Sequence, residues 1–274
     1  MNWYFQFTPG DMWDYDEVGT HIMIDSVVDG QPRKLLTHSA RNGFFYTMER
    51  ANGAIVSAKP YMDNINWTKG IDQKTGKPLD YDPNLDIQVY STLANQVTGP
   101  KKVCPGHAGG NNYWPSSYSP QTKWTYIPAM TACSEVTIDT AKHSKEKGWN
   151  GGAYKTADRY ESNLTAIDPV TGEIKKSVHL QYPNYSGTVS TGGELVFLAL
   201  TDGTVAAFDD TTLEQLWKIN VGSGFSAPPM TFEVNGKQYI AIASGPSASA
   251  KAKLVNTPEL KDQRQATVLY VFGL

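Results

Sequence analysis

Short apolar runs, broken by glycine, proline and asparagine, recur along this chain. His21-Ile-Met-Ile24 and Lys34-Leu-Leu-Thr37 flank the turn Val28-Asp29-Gly30-Gln31-Pro32, and Phe44-Phe-Tyr-Thr-Met48 follows Ser39-Ala-Arg-Asn-Gly43. Asp-Gly and Asn-Gly between apolar runs predict tight hairpins. The pattern returns at Glu194 to Leu200, Thr201-Asp202-Gly203, Thr204 to Phe208 and Leu216 to Asn220. It returns again at Pro229 to Val234, Asn235-Gly236 and Gln238 to Ala243.

These modules also resemble one another. Ala166-Ile-Asp-Pro-Val-Thr-Gly-Glu-Ile-Lys-Lys176 and Ala207-Phe-Asp-Asp-Thr-Thr-Leu-Glu-Gln-Leu-Trp217 share one frame, and Ile71-Asp-Gln-Lys-Thr-Gly76 is a looser version of its turn. Asp and Thr at that spacing close a turn with their side chains, while Ala and Trp pack between sheets. The reading is therefore all-β, a β-propeller of four-stranded blades. At about 40–65 residues per blade the chain holds roughly four of them, as one domain over residues 1–274. Lys59 to Pro83, Cys104 to Pro120 and Asp139 to Arg159 are expected as long loops, and Lys142 to Lys155 as a solvated excursion.

One stretch departs from this pattern. Thr8-Pro-Gly-Asp-Met-Trp-Asp-Tyr-Asp16 sets Asp11, Asp14 and Asp16 among aromatics. In extended backbone Asp14 and Asp16 share one face, and Trp13 and Tyr15 the other. Paired carboxylates beside bulky apolar groups repel unless a cation answers them, which points to a metal or acid–base site. The alternative is that Asp11 opens a Pro-Gly turn and the other two are solvated strand ends.

Composition narrows the function classes. Among 274 residues there are 24 Gly, 16 Pro and 15 Tyr, with 19% charged residues and a net charge of −3. No basic face advertises nucleic acid or anionic lipid. The apolar runs are too short to span a bilayer as helices, and the first residues are aromatic and acidic where a signal peptide is basic and then aliphatic. Cys104 and Cys133 permit one disulfide or two buried thiols. The five histidines lack metal-ligand spacing and read as structural or surface residues, and Gly109-Gly110 permits close backbone approach.

Taken in order, Trp13-Asp-Tyr-Asp16, Arg41-Asn-Gly43, the run from Cys104-Pro105 to Asn112, Cys133 and the late repeat frame resemble the pyrroloquinoline-quinone (PQQ)-dependent alcohol dehydrogenases of the methanol/ethanol family. The resemblance covers nearly the whole chain but only the C-terminal half of such an enzyme, roughly half of an eight-bladed ring. It implies Asp14 as catalytic base and metal ligand, and Asp16 as the further metal ligand of lanthanide-dependent members. It places Arg41 at the quinone's reactive carbonyls, Asn112 on the cofactor, and Tyr185 where relatives often carry a cofactor-proximal Trp. Cys104 and Cys133 fall on a structural disulfide. Leu213 replaces the Gly, and Lys176 the Trp, of two docking repeats.

The implied reaction is oxidation of a small primary alcohol. Its proton passes to Asp14 and its hydride to the quinone, beside a calcium or lanthanide Lewis acid. The family also implies a periplasmic location, cytochrome c as electron acceptor, and an N-terminal half or second chain to close the ring. The competing reading is a catalytically incomplete propeller that serves as a binding or assembly scaffold.

Overall fold

The computed structural model describes all residues except 86, 87, 89, 91–100, 139–151, 246 and 274. Most of the Lys142 to Lys155 tract, with His143, therefore lies outside the described residues, as do residues 139–151 of the loop expected from Asp139 to Arg159.

Four sheets follow one another along the chain. The first joins β1 (His21–Val28), β2 (Gln31–Ser39), β3 (Phe44–Glu49) and β4 (Ile55–Pro60) as an antiparallel meander. The predicted Asp29-Gly30 turn closes β1 on β2, with both residues left-handed at φ 49 and 75°. Farther on come β5 (Lys101–Val103), β6 (Ser117–Ser119), β7 (Trp124–Met130), β8 (Ser134–Ile138), β9 (Gly152–Thr156), β10 (Ser162–Ile167) and β11 (Ile174–Leu180). The second sheet is β6-β7-β10-β11, and β5-β8-β9 form a small side sheet that the sequence pattern did not announce. The third sheet holds β12 (Thr188–Ser190), β13 (Leu195–Ala199), β14 (Thr204–Asp209) and β15 (Gln215–Asn220). The fourth holds β16 (Met230–Val234), β17 (Lys237–Ala243) and β18 (Leu269–Gly273), three strands among the described residues. A short helix, α1 (Ala248–Lys253), lies between β17 and β18.

The shared frame is one physical device used repeatedly. Asp168 Oδ1 accepts from the backbone of Val170 (2.8 Å) and Thr171 (3.1 Å), Asp209 Oδ1 from that of Thr211 (3.0 Å) and Thr212 (2.7 Å), and Asp72 Oδ1 from that of Lys74 (2.9 Å) and Thr75 (2.8 Å). The strand register shifts beside the first two of these turns, between Ala166 and Ile167 and between Ala207 and Phe208, and a like shift lies between Thr47 and Met48 in the first sheet. These bulges strengthen the local twist. Leu213 takes the glycine position of the turn at φ 57°, where Gly172 and Gly76 have φ 71 and 68°, and its side chain is buried.

Adjacent sheets bury their apolar faces, aliphatic and aromatic, on one another. Phe45 of β3 meets Ile127, Ala129 and Ile167. Tyr126, Leu164 and Ala166 meet Val196, Leu198, Ala206 and Phe208, and Phe197 and Ala207 meet Ile240. The far side stays uncovered. Every residue of β15 and β16 is exposed, and a groove of about 620 Å³ runs between Leu216 and Trp217 of β15 and Val271 and Phe272 of β18. Trp217 reaches only the edge of Phe272, 5.5 Å between ring centroids, and Lys176 at the equivalent position points to solvent.

Candidate functional site

The alternation expected from Trp13 to Asp16 is present without a regular strand. Trp13 and Tyr15 are fully buried against Trp67 and Tyr90, with ring centroids 5.4–5.9 Å apart, while Asp14 and Asp16 stand out. The Tyr15 hydroxyl donates to the Pro105 carbonyl and the Tyr90 hydroxyl to that of Pro9. Asp14 itself is left-handed, φ 68°, a conformation that Asp tolerates better than most residues. Asp11 does more than open a turn. Its Oδ1 accepts from Trp13 N–H (2.9 Å) and its Oδ2 from Tyr15 N–H (2.6 Å), which folds the segment into a bracket. Burial pushes the Asp11 carboxyl up to about 6, against the pull of those two donors and Arg41.

The cation between the two outer carboxylates is Arg41, carried on the turn from β2 to β3. Its Nη1 donates to Asp16 Oδ1 (2.7 Å) and to the Asp16 carbonyl (3.1 Å). Its Nη2 donates to Asp14 Oδ2 (3.1 Å) and to the His107 carbonyl (2.6 Å). The guanidinium is 7% exposed, the carboxylates 50% and 66%. Burial raises the Asp14 carboxyl above its usual range, Arg41 opposes that shift, and Asp16 adds to it.

Arg41 is seated from behind by two segments. Both Glu17 oxygens accept from its backbone N–H at 3.1 Å, and Glu17 Oε2 lies 2.8 Å from His38 Nε2. His38 in turn stacks on His21, 4.1 Å between centroids, and reaches the Thr20 carbonyl through Nδ1 (3.1 Å). The second segment runs from Cys104 to Asn112. A disulfide joins Cys104 to Cys133, with the Cα atoms 4.5 Å apart. Gly110 N–H donates to the Arg41 carbonyl (2.9 Å), and a Cβ on Gly109 (φ +81°) would lie 2.8 Å from Arg41 Cβ. Gly109 is thus required by close approach to Arg41, and Gly110 by close approach to Tyr61 and Met62.

The other expected residues lie nearby in different roles. Asn112 Nδ2 donates to the Ala108 carbonyl (2.8 Å) and its Oδ1 accepts from Tyr113 N–H (2.8 Å), so its amide holds the loop. Tyr185 is buried on Trp114, 4.6 Å between centroids, in a wall that includes Tyr160, Ala108 and Ala250. Burial drives its hydroxyl far up, and Arg41 is near enough to pull the other way. Sequence reading passed over Glu17 and Lys253 and took His107 as a structural or surface residue. His107 accepts from Arg41 through its carbonyl while its ring nitrogen Nε2 sits 3.2 Å from Lys253 Nζ. None of the three carries a spacing signal, although Glu17 directly follows the acid stretch.

Among the described residues no group of three or more His, Cys, Asp or Glu side chains converges as a metal site. Asp14 and Asp16 are hard oxygen donors suited in kind to calcium or a lanthanide, but two carboxylates are too few to fill such a shell. Donors for a planar quinone are better represented. Arg41 Nε and the Tyr185 hydroxyl are buried without a hydrogen-bond partner, beside the Arg41 guanidinium and the Trp114–Tyr185 aromatic wall.

A family model described as the glucose/ethanol/alcohol dehydrogenase β-propeller domain, a PQQ domain, matches residues 1–58 and 162–240. The quinoprotein ethanol dehydrogenase of Pseudomonas putida is 35% identical over 250 residues, covering 89% of this chain and 40% of that protein. The lanthanide-dependent methanol dehydrogenase of Methylorubrum extorquens is 32% identical over 249 residues, covering 89% and 41%. The crystal structure of the quinohemoprotein alcohol dehydrogenase of Comamonas testosteroni superposes with a TM-score of 0.82 at 29% identity, over 98% of this chain and 40% of that one. A europium-containing methanol dehydrogenase gives 0.85 at 28% identity, over 98% and 50%. The four successive sheets are thus blades of a β-propeller, and the chain spans two fifths to one half of the length of these relatives.

Proposed function

We propose, because this chain belongs to the PQQ-dependent alcohol dehydrogenase family, that it supplies the base and the quinone-side cation for oxidation of a small primary alcohol. The observation that carries this reading is Arg41, buried, bridging Asp14 and Asp16 and held against the Cys104 to Asn112 loop. Asp14 accepts the alcohol proton: one oxygen is engaged by Arg41, and the carboxyl is half-exposed and shifted toward higher proton affinity. Arg41 holds that carboxylate in place and adds positive charge where oxyanion character develops. The Trp114–Tyr185 wall excludes water from one side. When bound, the quinone supplies the hydride acceptor and a calcium or lanthanide ion the Lewis acid, with Asp14 and Asp16 among the residues that would hold the ion and Arg41, Asn112 and Tyr185 among those that would hold the quinone.

The rest of the site belongs, on this reading, to an N-terminal half or second chain that closes the ring. The uncovered apolar faces of β15 and β18 support it, because exposed strand faces of that kind normally meet another sheet. Cytochrome c as electron acceptor and a periplasmic location complete the proposal, by likeness to the family. An assembly scaffold would share those faces, but it has no use for a buried arginine bridging two half-exposed carboxylates.

The test is dye-linked alcohol oxidation after titration with PQQ and calcium or lanthanum, with the chain alone and with a separately expressed N-terminal half. Activity is expected with both halves together, falling at least 100-fold in Asp14→Ala, in the range of general base removal. Activity that survives this substitution overturns the assignment of the base.

A further inference from the structure

Lys253 closes α1 and extends back toward the acid pair. The helix is seated by Ala250, fully buried with Trp114, Tyr160 and Tyr185, and capped by Ser247 Oγ, which accepts from Ala250 N–H (3.0 Å). Lys253 Nζ then lies 3.2 Å from His107 Nε2. Ser134 Oγ accepts from His107 N–H (3.1 Å) and sits 2.7 Å from Nδ1. An ammonium only donates, so Nε2 must accept, and the ring proton belongs on Nδ1, facing Ser134. Burial, Lys253 and Arg41 together push His107 down to about 4, which agrees with a neutral ring at neutral pH. The ring is further fixed by stacking on Tyr154, 5.0 Å between centroids.

His107 thus carries a cation at each end, Arg41 on its carbonyl and Lys253 on its ring. The two cations are not equivalent. Arg41 is matched by two carboxylates, whereas Lys253 makes no ion pair among the described residues. A partly buried ammonium facing a neutral ring is under-compensated, and burial and Arg41 lower its proton affinity while Asp14 raises it. That places Lys253 within the electrostatic reach of both members of the proposed catalytic pair. An anion at Lys253 would restore the balance, and a carboxylate is the anion that both a quinone tricarboxylate and a hydroxy-acid substrate present.

We propose that Lys253, held by neutral His107, is the carboxylate-binding cation of this site, taking an anionic group of either the cofactor or an alcohol substrate. The inference deepens the quinone and alcohol reading and rests on it.

Amine acetylation of the intact chain at limiting reagent, read lysine by lysine by mass spectrometry, tests it. The probes are PQQ, its trimethyl ester, glycolate and ethanol at fixed ionic strength, with tryptophan quenching as a parallel measure of PQQ binding. PQQ, glycolate or both should slow acetylation of Lys253 at least fivefold while exposed Lys251 is unaffected, and the ester and ethanol should not. Protection by PQQ alone assigns the group to the cofactor, and protection by glycolate alone to the substrate. PQQ that quenches without protecting Lys253, with glycolate inert, overturns this inference and leaves the cofactor reading standing. Protection by glycolate with no PQQ quenching does the reverse, and no protection and no quenching sinks both. Lys253→Met should weaken the protecting ligand at least tenfold and Lys253→Arg should restore most of it; equal affinity in Lys253→Met also overturns the assignment.

Discussion

Asp11→Asn isolates the bracket that aims the acid pair. The wild-type carboxyl accepts from Trp13 N–H and Tyr15 N–H, and burial outweighs those donors to raise it from the ordinary 3.8 to about 6. The folded chain therefore binds the Asp11 proton more tightly than the unfolded chain does. The stabilisation from that proton is fully present below pH 3.8 and is lost as pH rises to about 6, an interval worth about 3 kcal/mol at roughly 1.36 kcal/mol per pH unit. His21 and His107, both pushed down to about 4, act in the opposite direction, since each must lose its proton to fold and so favours the folded chain as pH rises from 4 to 6.5. The histidine contributions cancel when the variant is subtracted from the wild type. The asparagine keeps one acceptor, loses the other, and does not titrate, so it adds a constant offset. Urea unfolding of both proteins from pH 3.5 to 7.5 should show the wild-type advantage shrinking by about 2–3 kcal/mol between pH 4 and pH 7. Parallel curves, or a wild-type advantage that grows with pH, refute the claim that burial governs Asp11.

Two further outcomes follow from the framework around the site. Cys104 and Cys133 are 29 residues apart, so Cys104→Ser with Cys133→Ser should cost about 3–4 kcal/mol in denaturant unfolding, with reductant reproducing the loss in the wild type and doing nothing to the variant; a loss under about 1 kcal/mol contradicts this. Leu213 sits at φ 57° in a glycine position yet is buried among Val196, Leu198 and Phe208. Leu213→Gly should therefore relieve about 1–2 kcal/mol of backbone strain and lose about 2–5 kcal/mol of burial. The expected net is a destabilisation of about 1–3 kcal/mol by thermal or urea unfolding. A stabilised variant would mean that the strain dominates.

What the sequence by itself determined is local. Asp-Gly and Asn-Gly between apolar runs located hairpins because positive φ, at both residues of Asp29-Gly30 and Asn235-Gly236 and at the glycine of Asn42-Gly43 and Asp202-Gly203, reverses a strand within a tight turn. The Asp and Thr frame located the β10–β11 and β14–β15 turns and the turn at Asp72 because the side chain that closes each turn lies within a few residues of the donors it meets. Alternation from Trp13 to Asp16 put the aromatics in and Asp14 and Asp16 out, and resemblance of motif order gave the disulfide pair that forms and the candidate site residues. Tertiary structure decided what those residues meet. Paired carboxylates announced a cation, but only the fold showed that Arg41 itself bridges them, because that contact depends on how the β2 to β3 turn docks on the acid stretch. Asp11 looked like a turn opener until burial set its proton affinity. Glu17, His107 and Lys253 were not legible, since a single polar residue carries no period and its partner lies far along the chain. The side sheet β5-β8-β9 escaped for the same reason: its strands are short and interrupted by another blade, so their pairing is a long-range event. Periodicity records which way a side chain faces, and packing alone decides what it faces.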